Sequence, residues 1–123
     1  MELIALNKPF TISKLKTADN INFLQPFTFF SRTDDEISLV CETRYVPEEA
    51  LEAEHGWRCF KFSGILNFEL VGIIAKISSL LAKNNIPVFV VSTYNTDYIF
   101  VKDEAYDKAT LIFSENEYTV IYI

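Results

Sequence analysis

The chain has 123 residues, of which 50% are hydrophobic and 15% aromatic, and its formal net charge is −6 at pH 7. This composition is too apolar for a disordered protein, and the length suits one core or two small lobes. The negative charge and the scattered basic residues argue against nucleic acid or an anionic membrane as a partner.

The sequence also predicts a cytoplasmic location. No apolar run reaches the roughly 20 residues that a membrane-spanning helix needs. The start of the chain, Met1 to Leu6, lacks the basic segment of a signal peptide. Cys41 and Cys59 are too few to indicate a disulfide framework, so we expect two buried thiols in a reducing compartment.

The first half of the chain is predicted to be rich in strands. Four segments have the apolar character and flanking turn residues of strands: residues 2–6, 10–15, 27–31 and 36–41. Asn7-Lys8-Pro9 is expected to be a turn because proline fixes φ. Residues 17–26 predict a loop or a single helical turn. Val46-Pro47-Glu48-Glu49 is typical of a helix start, which predicts a short helix to Glu54.

The clearest prediction is an amphipathic helix over residues 68–84. Its apolar side chains have the spacing of one helical face: Leu70, Ile73, Ile74, Ile77, Leu80 and Leu81. Asn67 is a suitable N-cap, and Glu69 suits the positive end of the helix dipole. Asn84-Asn85 is expected to end the helix, since Asn tolerates the left-handed conformation.

Further strands and a second helix complete a recognisable order. Strands are predicted over 57–62, 86–91, 98–102 and 118–123, and a helix over about 103–114. The run 86–91 is apolar except for Pro87, and a continuous apolar run predicts a strand covered on both faces. Pro87 is acceptable only at the beginning of a strand or in an edge strand. From Trp57 the order is β-α-β-β-α-β, the ferredoxin-like arrangement of an antiparallel sheet with two helices on one face. The predicted fold class is therefore α+β, with a reduced lobe of the same kind before it.

Four segments carry a resemblance to a known family. They are residues 32–41, Gly56-Trp57-Arg58, Val71-Gly72-Ile73 and the run Ser92-Thr93-Tyr94-Asn95-Thr96-Asp97-Tyr98-Ile99. Together they resemble the tandem ACT-domain family, in its small bacterial type related to the cytosolic arginine sensors of the TOR pathway. The resemblance implies a reduced N-terminal ACT-like lobe at 1–55, a C-terminal ACT domain at 56–123, and a role in sensing small molecules, typically amino acids.

The resemblance also implies where a ligand binds. In the related sensors the ligand lies between ACT domains, held by the loop and helix start after the first strand and by the aspartate of a Thr-Asp motif. Those positions are 64–72 and Asp97 in this sequence. Because the N-terminal lobe is short, two chains are expected to build a complete interface, as a homodimer or a higher homo-oligomer.

The same residues suit an amino acid for physical reasons. A helix N-terminus offers unpaired N–H groups and positive dipole to a carboxylate, while Glu69 and Asp97 can bind an ammonium group. Gly64 and Gly72 allow the backbone to approach a ligand closely. The predicted ligand-binding residues are Gly64, Ile65, Leu66, Asn67, Phe68, Glu69, Gly72, Ser92, Thr93, Thr96 and Asp97.

Several of these residues also have a purely structural explanation. Gly64 could supply only the φ of a turn, and Gly72 could serve close packing, since glycine inside a helix costs about 1 kcal/mol relative to Ala. Glu69 could simply favour the helix dipole. Asp97 could be an ordinary turn residue, and Ser92-Thr93 could bond the local backbone.

The sequence shows no pattern for catalysis, a metal or a cofactor. The single histidine, His55, lies beside Gly56 and is expected to be a solvated loop residue, and one His with two separated Cys makes a metal site improbable. Nucleophile-elbow and nucleotide-binding glycine patterns are absent from the sequence. We therefore expect a non-enzymatic regulatory protein. The alternative is a ligand-independent association module, which the charge-free terminal strand 118–123 favours, acting through pairing with itself or another protein.

Overall fold

The computed structural model describes residues 1–67 and 70–123. The elements in chain order are β1 (Glu2–Leu15), β2 (Phe29–Arg32), β3 (Ile37–Glu42), β4 (Glu52–Phe62), α1 (Ile73–Lys83), β5 (Phe89–Ser92), β6 (Asp97–Lys102), α2 (Tyr106–Glu115) and β7 (Thr119–Tyr122), with short 3-10 turns at Thr43–Tyr45 and Asp103–Ala105. Contacts divide the chain into a larger unit, Met1–Asn7 with Arg58–Ile123, and a smaller unit, Lys8–Trp57. The assignment of two ACT-like lobes with a boundary at residue 55 stays a prediction.

The larger unit has the predicted α+β class, with two helices and a mainly antiparallel sheet. Its strands lie in the order β7-β1-β4-β6-β5. β5 and β6 form an antiparallel hairpin, whereas Glu2–Ala5 of β1 pairs in parallel with Thr119–Tyr122 of β7. The prediction of four antiparallel strands is therefore corrected: the first residues of the chain insert a fifth strand between β7 and β4. Among the described residues, neither helix is long and apolar enough to span a membrane.

One apolar core joins both helices to this sheet. Side chains two residues apart on β4 and on β6 point to the same face, as the pleat of a strand requires. They pack with the apolar stripes of α1 and α2. The core side chains are Leu3, Ala5, Phe60, Phe62, Ile77, Leu81, Ile99, Val101, Ala109 and Phe113. Both helices therefore cover one face, as predicted.

Helix α1 begins five residues later than predicted. Its N-cap is Gly72, with φ 79° and ψ 8°, and not Asn67. The apolar spacing that starts at Leu70 is misleading, because Leu70 and Val71 are exposed and the Leu70 N–H bonds the Asn67 carbonyl oxygen. The left-handed residue Gly72 then precedes the helix.

The C-terminal end of α1 agrees with the prediction. Asn84 is the C-cap, and Asn85 has the left-handed φ of 59°. The N–H of Asn85 bonds the Ala82 carbonyl and the N–H of Ile86 bonds the Leu81 carbonyl, each at 3.0 Å. This is the Schellman arrangement that ends many helices.

The edge strand β5 is less buried than predicted. It starts at Phe89, after Pro87, as expected for a proline that cannot donate to a ladder. Its apolar residues are only partly buried, because β5 ends the strand order of the larger unit. The prediction of a strand covered on both faces is therefore wrong.

The smaller unit is built from strands, in the order β2-β3-β1-β4. Strand β3 pairs in antiparallel fashion with β1 on one side and with β2 on the other, so the strands predicted over 27–31 and 36–41 are neighbours in the sheet. Leu15, Leu39 and Cys41 are the buried residues of one of the apolar clusters in this unit.

Two sequence predictions fail in the first half of the chain. Asn7-Lys8-Pro9 is not a turn, because β1 runs without interruption from Glu2 to Leu15. No helix occupies 46–54; a turn closes with a hydrogen bond from the Ala50 N–H to the Pro47 oxygen, and β4 begins at Glu52. His55 consequently lies in a strand and not in a loop, with its Nδ1 2.8 Å from the Thr11 hydroxyl.

Both cysteines are buried free thiols, as expected. Burial, with a smaller effect of the neighbouring Glu42 charge, raises the pKa of Cys41 to about 11. Burial also raises the pKa of Cys59, against a smaller opposite effect of Lys61. Neither thiol is therefore poised to be a thiolate near neutral pH.

Candidate functional site

Two loops meet at one end of the larger unit. One is the segment that follows β4, and the other is the turn at residues 93–96 between β5 and β6. The backbone N–H of Leu66 donates a 2.7 Å hydrogen bond to the carbonyl oxygen of Asn95. The strand order explains the encounter, because β4 and β6 are neighbours in the sheet.

Hydrogen bonds hold the 93–96 turn in one conformation. The Thr93 N–H and hydroxyl both donate to the Thr96 carbonyl oxygen, at 2.8 Å and 3.1 Å. The Thr96 hydroxyl donates to the Phe62 carbonyl oxygen at 3.0 Å. On the far side of the turn, the Ser92 hydroxyl donates to Oδ1 of Asp97. The hydroxyls thus satisfy local groups, and Ser92 also orients the Asp97 carboxylate.

A cleft of about 250 Å³ lies between these two loops and the start of α1. Its polar side comes from the turn and its neighbours: Ser92, Thr93, Tyr94, Asn95, Thr96 and Asp97. Its other side comes from the segment before α1 and the first residues of the helix, and is apolar apart from Asn67: Leu66, Asn67, Leu70, Ile73 and Ile74. Asp97 is the one charged side chain among the described residues that line this cleft.

The start of α1 faces the same cleft. Ile73 and Ile74, the first two helical residues, are part of the cleft wall. Within the described residues, no side chain caps this helix end. The first backbone N–H groups of a helix have no intrahelical acceptor, and the dipole makes this end positive. The cleft therefore combines a positive helix end with one carboxylate.

Gly72 lies beside the cleft without lining it. A Cβ at this position would meet no atom within 4 Å, so close packing does not explain the glycine. The residue is required for its φ of 79°, a left-handed value that side chains disfavour.

Gly64 and Ile65 line a separate groove of about 450 Å³ with Lys61 and Tyr98. The residues of the 93–96 turn separate this groove from the cleft and contribute to both. Gly64 has φ 76°, which fits its structural explanation as a turn glycine. Lys61 is absent from the predicted site residues, because nothing in its local sequence separates it from the other scattered basic residues.

Two predicted site residues, Phe68 and Glu69, lie outside the described residues. The role of Glu69 as a counter-charge to an ammonium group stays a prediction. The structure brings together Leu66, Asn67, Ser92, Thr93, Thr96 and Asp97 of the predicted set.

Most of the apolar part of the cleft is absent from the predicted site residues, which include Leu66 but not Leu70, Ile73 or Ile74. Helical spacing assigns Leu70 and Ile73 to the buried face of a longer helix, and Tyr94 is prominent only as part of a motif. Four large apolar side chains around the two loops are exposed: Ile65 by 77%, Leu70 by 51%, Val71 by 94% and Tyr94 by 81%. We call these four residues the apolar rim. Exposed apolar side chains that gather around one site mark a binding or association surface more often than scattered single residues do.

Comparisons with known proteins agree with this architecture. The sequence model of the ACT domain matches residues 52–115, just over half of the chain. A crystal structure of a protein from Agobacterium tumefaciens is similar over 99% of this chain and 92% of that one, with 30% identity and a TM-score of 0.86. Curated protein sequences yield no match.

Two more distant structures share the fold. A Vibrio cholerae protein of unknown function, described as a possible transport protein, is 19% identical over 93% of this chain and 88% of its own, with a TM-score of 0.72. Aspartate kinase of Clostridium acetobutylicum, described as an allosteric enzyme, is 17% identical over 83% of this chain, with a TM-score of 0.59. This chain matches 31% of that enzyme. Since the family model covers more than half of the sequence and the Agobacterium structure nearly all of it, the protein belongs to the ACT-domain family.

Proposed function

We propose that this protein is a non-enzymatic regulatory protein that binds an amino acid, or a closely related small metabolite, in the cleft beside α1. The observation that carries the proposal is that the start of α1, which no side chain of the described residues caps, and the Asp97 carboxylate line the same cleft. A zwitterion needs one positive and one negative partner, and the cleft supplies both. The allosteric aspartate kinase among the structures of similar fold supports a regulatory role.

The chemistry assigns each part of such a ligand to a wall. The α-carboxylate accepts hydrogen bonds from the first N–H groups of α1, and the α-ammonium group donates to Asp97. The hydrogen bond from Ser92 holds the Asp97 carboxylate in position before the ligand arrives, which lowers the entropic cost of binding. The remaining wall, with Leu70 and Ile74, favours an apolar side chain.

A second surface completes the site in this proposal. The cleft is open, and the apolar rim beside it is largely exposed. Its burial by another copy of the chain would remove apolar area from water, at roughly 25 cal/mol per Å². We therefore propose a homodimer or a higher homo-oligomer. The two buried free thiols support a cytoplasmic protein.

Calorimetric titration of ligand-free protein with each of the twenty amino acids tests the proposal. At least one is expected to bind with saturation, and Asp97→Asn is expected to weaken it by about tenfold or more, since a charge-assisted hydrogen bond is lost. Glu52→Gln is the matched control, because it removes an exposed carboxylate at the start of β4. Equal affinity in the Asp97→Asn variant would remove Asp97 from the site.

A second candidate, association without a ligand, is favoured by β7. This strand pairs with β1 along one edge, and within the described residues its other edge has no partner strand. Ile121 is 38% exposed, and the strand contains no charged residue to prevent edge pairing. Light scattering distinguishes the candidates: an oligomer that is unchanged by every amino acid, and that Ile121→Lys dissociates, supports association alone. An oligomer that responds to an amino acid supports sensing.

A further inference from the structure

A second cavity in the larger unit lies apart from the cleft. It measures about 290 Å³ and is lined by Ala5, Asn7, Arg58, Tyr106, Tyr122 and Ile123. We call it the Arg58 pocket. Arg58 belongs to the Gly56-Trp57-Arg58 segment, which the proposed amino-acid site does not use. It is the one charged side chain among the described residues that line this pocket.

The guanidinium group of Arg58 is held in place by aromatic rings. Its Cζ lies 3.9 Å from the centroid of the Tyr106 ring, within the range of a cation–π contact. The Tyr106 ring in turn stacks on Phe60, with centroids 5.4 Å apart and an interplanar angle of 16°. Since Phe60 is completely buried in the core, this stack fixes the position of the cation.

The hydrogen-bonding capacity of Arg58 is largely unused within the described part of the chain. A guanidinium has five N–H donors, and its polar contact here is one 3.4 Å bond from Nη1 to Asp103. The Asp103 side chain is 64% exposed, so solvent screens this pair. Nε of Arg58 is buried and has no partner among the described residues. The partly buried guanidinium of Arg58 therefore has N–H donors that a further acceptor would satisfy.

We propose that the Arg58 pocket binds a small organic carboxylate, with its oxygens on the Arg58 guanidinium and its apolar body against the Tyr122 ring. A carboxylate matches the planar, multiple-donor geometry of arginine. A phosphate dianion is disfavoured, because the pocket offers one cation and Asp103 already neutralises part of it. Ala5 and Tyr122 supply a surface for the apolar body, whereas Asn7 supplies an amide for a polar substituent.

The probe for this site is sodium benzoate, followed by amide chemical shifts of the full chain. Saturable shifts are expected at Asn7, Tyr106 and Tyr122, and benzyl alcohol, with the same ring but no charge, is expected to cause none. Arg58→Gln is expected to weaken benzoate binding by about tenfold or more. Arg44→Gln is the matched control, because Arg44 also lies over a tyrosine ring, that of Tyr45 at 4.8 Å, but is paired with Glu42.

Three results would overturn the proposal: benzoate shifts that survive in Arg58→Gln, equal shifts with benzyl alcohol, or inorganic phosphate that displaces benzoate at lower concentration. If Arg58→Gln fails to fold, Tyr122→Ala replaces it, since Tyr122 is 63% exposed and its loss opens no core cavity. A several-fold weaker benzoate affinity in Tyr122→Ala supports the site, and an unchanged affinity contradicts it.

Discussion

The Thr96 hydroxyl donates a 3.0 Å hydrogen bond to the carbonyl oxygen of Phe62, 34 positions earlier in the chain. Phe62 is the last residue of β4, and Thr96 closes the turn before β6. Thr96 is only 4% exposed, so water does not replace this bond. The contact therefore fixes the polar wall of the cleft relative to the strand from which the opposite loop departs.

Replacing Thr96 with valine keeps the shape of the side chain and removes this donor. We expect the free energy of unfolding to fall by about 1–3 kcal/mol, because a buried carbonyl loses its partner. Urea denaturation measures the change. Thr110→Val is the control, since the Thr110 hydroxyl bonds the Asp107 carbonyl at an exposed position of α2. If the Thr96→Val protein is no less stable than the Thr110→Val protein, the hydrogen bond from Thr96 to Phe62 does not stabilise the fold as proposed.

Gly72→Ala tests the left-handed start of α1. The φ of Gly72 is 79°, and an added methyl group would meet no atom within 4 Å, so the cost is backbone strain alone. We expect a loss of about 1 kcal/mol in the free energy of unfolding, measured by urea denaturation. Gly72→Asn should lose less, because Asn tolerates this conformation. Equal stability of Gly72→Ala and the native protein would show that α1 can begin without a left-handed residue.

We expect the ion pairs of Glu42 to make a pH-dependent contribution to the free energy of unfolding. Burial alone would raise its pKa, but hydrogen bonds and charges from Arg44 and Lys8 outweigh burial and hold the pKa below its usual value. Nε of Arg44 lies 2.7 Å and Nζ of Lys8 3.2 Å from the carboxylate. A depressed folded-state pKa stabilises the protein above the unfolded-state pKa, about 4.3, and this stabilisation is lost as the pH falls through the folded-state pKa.

Glu42→Gln is therefore expected to be less stable than the native protein at pH 7, with a difference that shrinks as the pH falls below about 4. Urea denaturation at several pH values measures it. Glu52→Gln, at an exposed position, controls for the loss of one negative charge. A Glu42→Gln difference that is the same at pH 7 and pH 3 would exclude the ion pairs as its source.

The two thiols should react slowly in the folded protein. Burial raises the pKa of Cys41 to about 11 and raises that of Cys59 as well. Thiol reagents attack the thiolate, so labelling with a chromogenic disulfide at pH 8 is expected to be much slower in native protein than in urea. Rapid labelling of both cysteines without denaturant would contradict their burial.

Local patterns in the sequence predict some of these features and miss others. Asn84-Asn85 ends α1 as predicted, because the left-handed tendency of Asn is a property of the residue itself. The start of α1 is predicted too early, because the apolar side chain of Leu70 continues the helical spacing although its environment is exposed. Spacing alone does not distinguish a buried apolar residue from one that faces solvent.

The failed predictions in the first half depend on pairing between distant segments. Pro9 lies in β1 between the stretch that pairs with β7 and the stretch that pairs with β3, outside both registers. Within the segment of the predicted short helix, the Leu51 N–H bonds the Lys14 carbonyl oxygen at 2.8 Å, and β4 begins at Glu52. These contacts join residues far apart in sequence, so local propensity could not reveal them.

The candidate cleft is only partly predictable from the sequence, because some of its residues are close in the chain and others are brought together by the fold. Ser92, Thr93, Thr96 and Asp97 occur within one short segment, so their proximity follows from the chain itself. The apolar wall depends on where α1 begins, which the apolar spacing places too early. The separation of Gly64 from the cleft depends on which side of the 93–96 turn each loop residue occupies. Sequence spacing does not determine that side.

Calorimetric titration tests most directly whether an amino acid binds to the start of α1 and Asp97. Native protein, Asp97→Asn and Glu52→Gln are titrated in parallel with the twenty amino acids by calorimetry. We expect saturable binding of at least one amino acid, weakened by about tenfold or more only in Asp97→Asn. An absence of binding by every amino acid to ligand-free native protein, or identical binding by all three proteins, would contradict the proposed site.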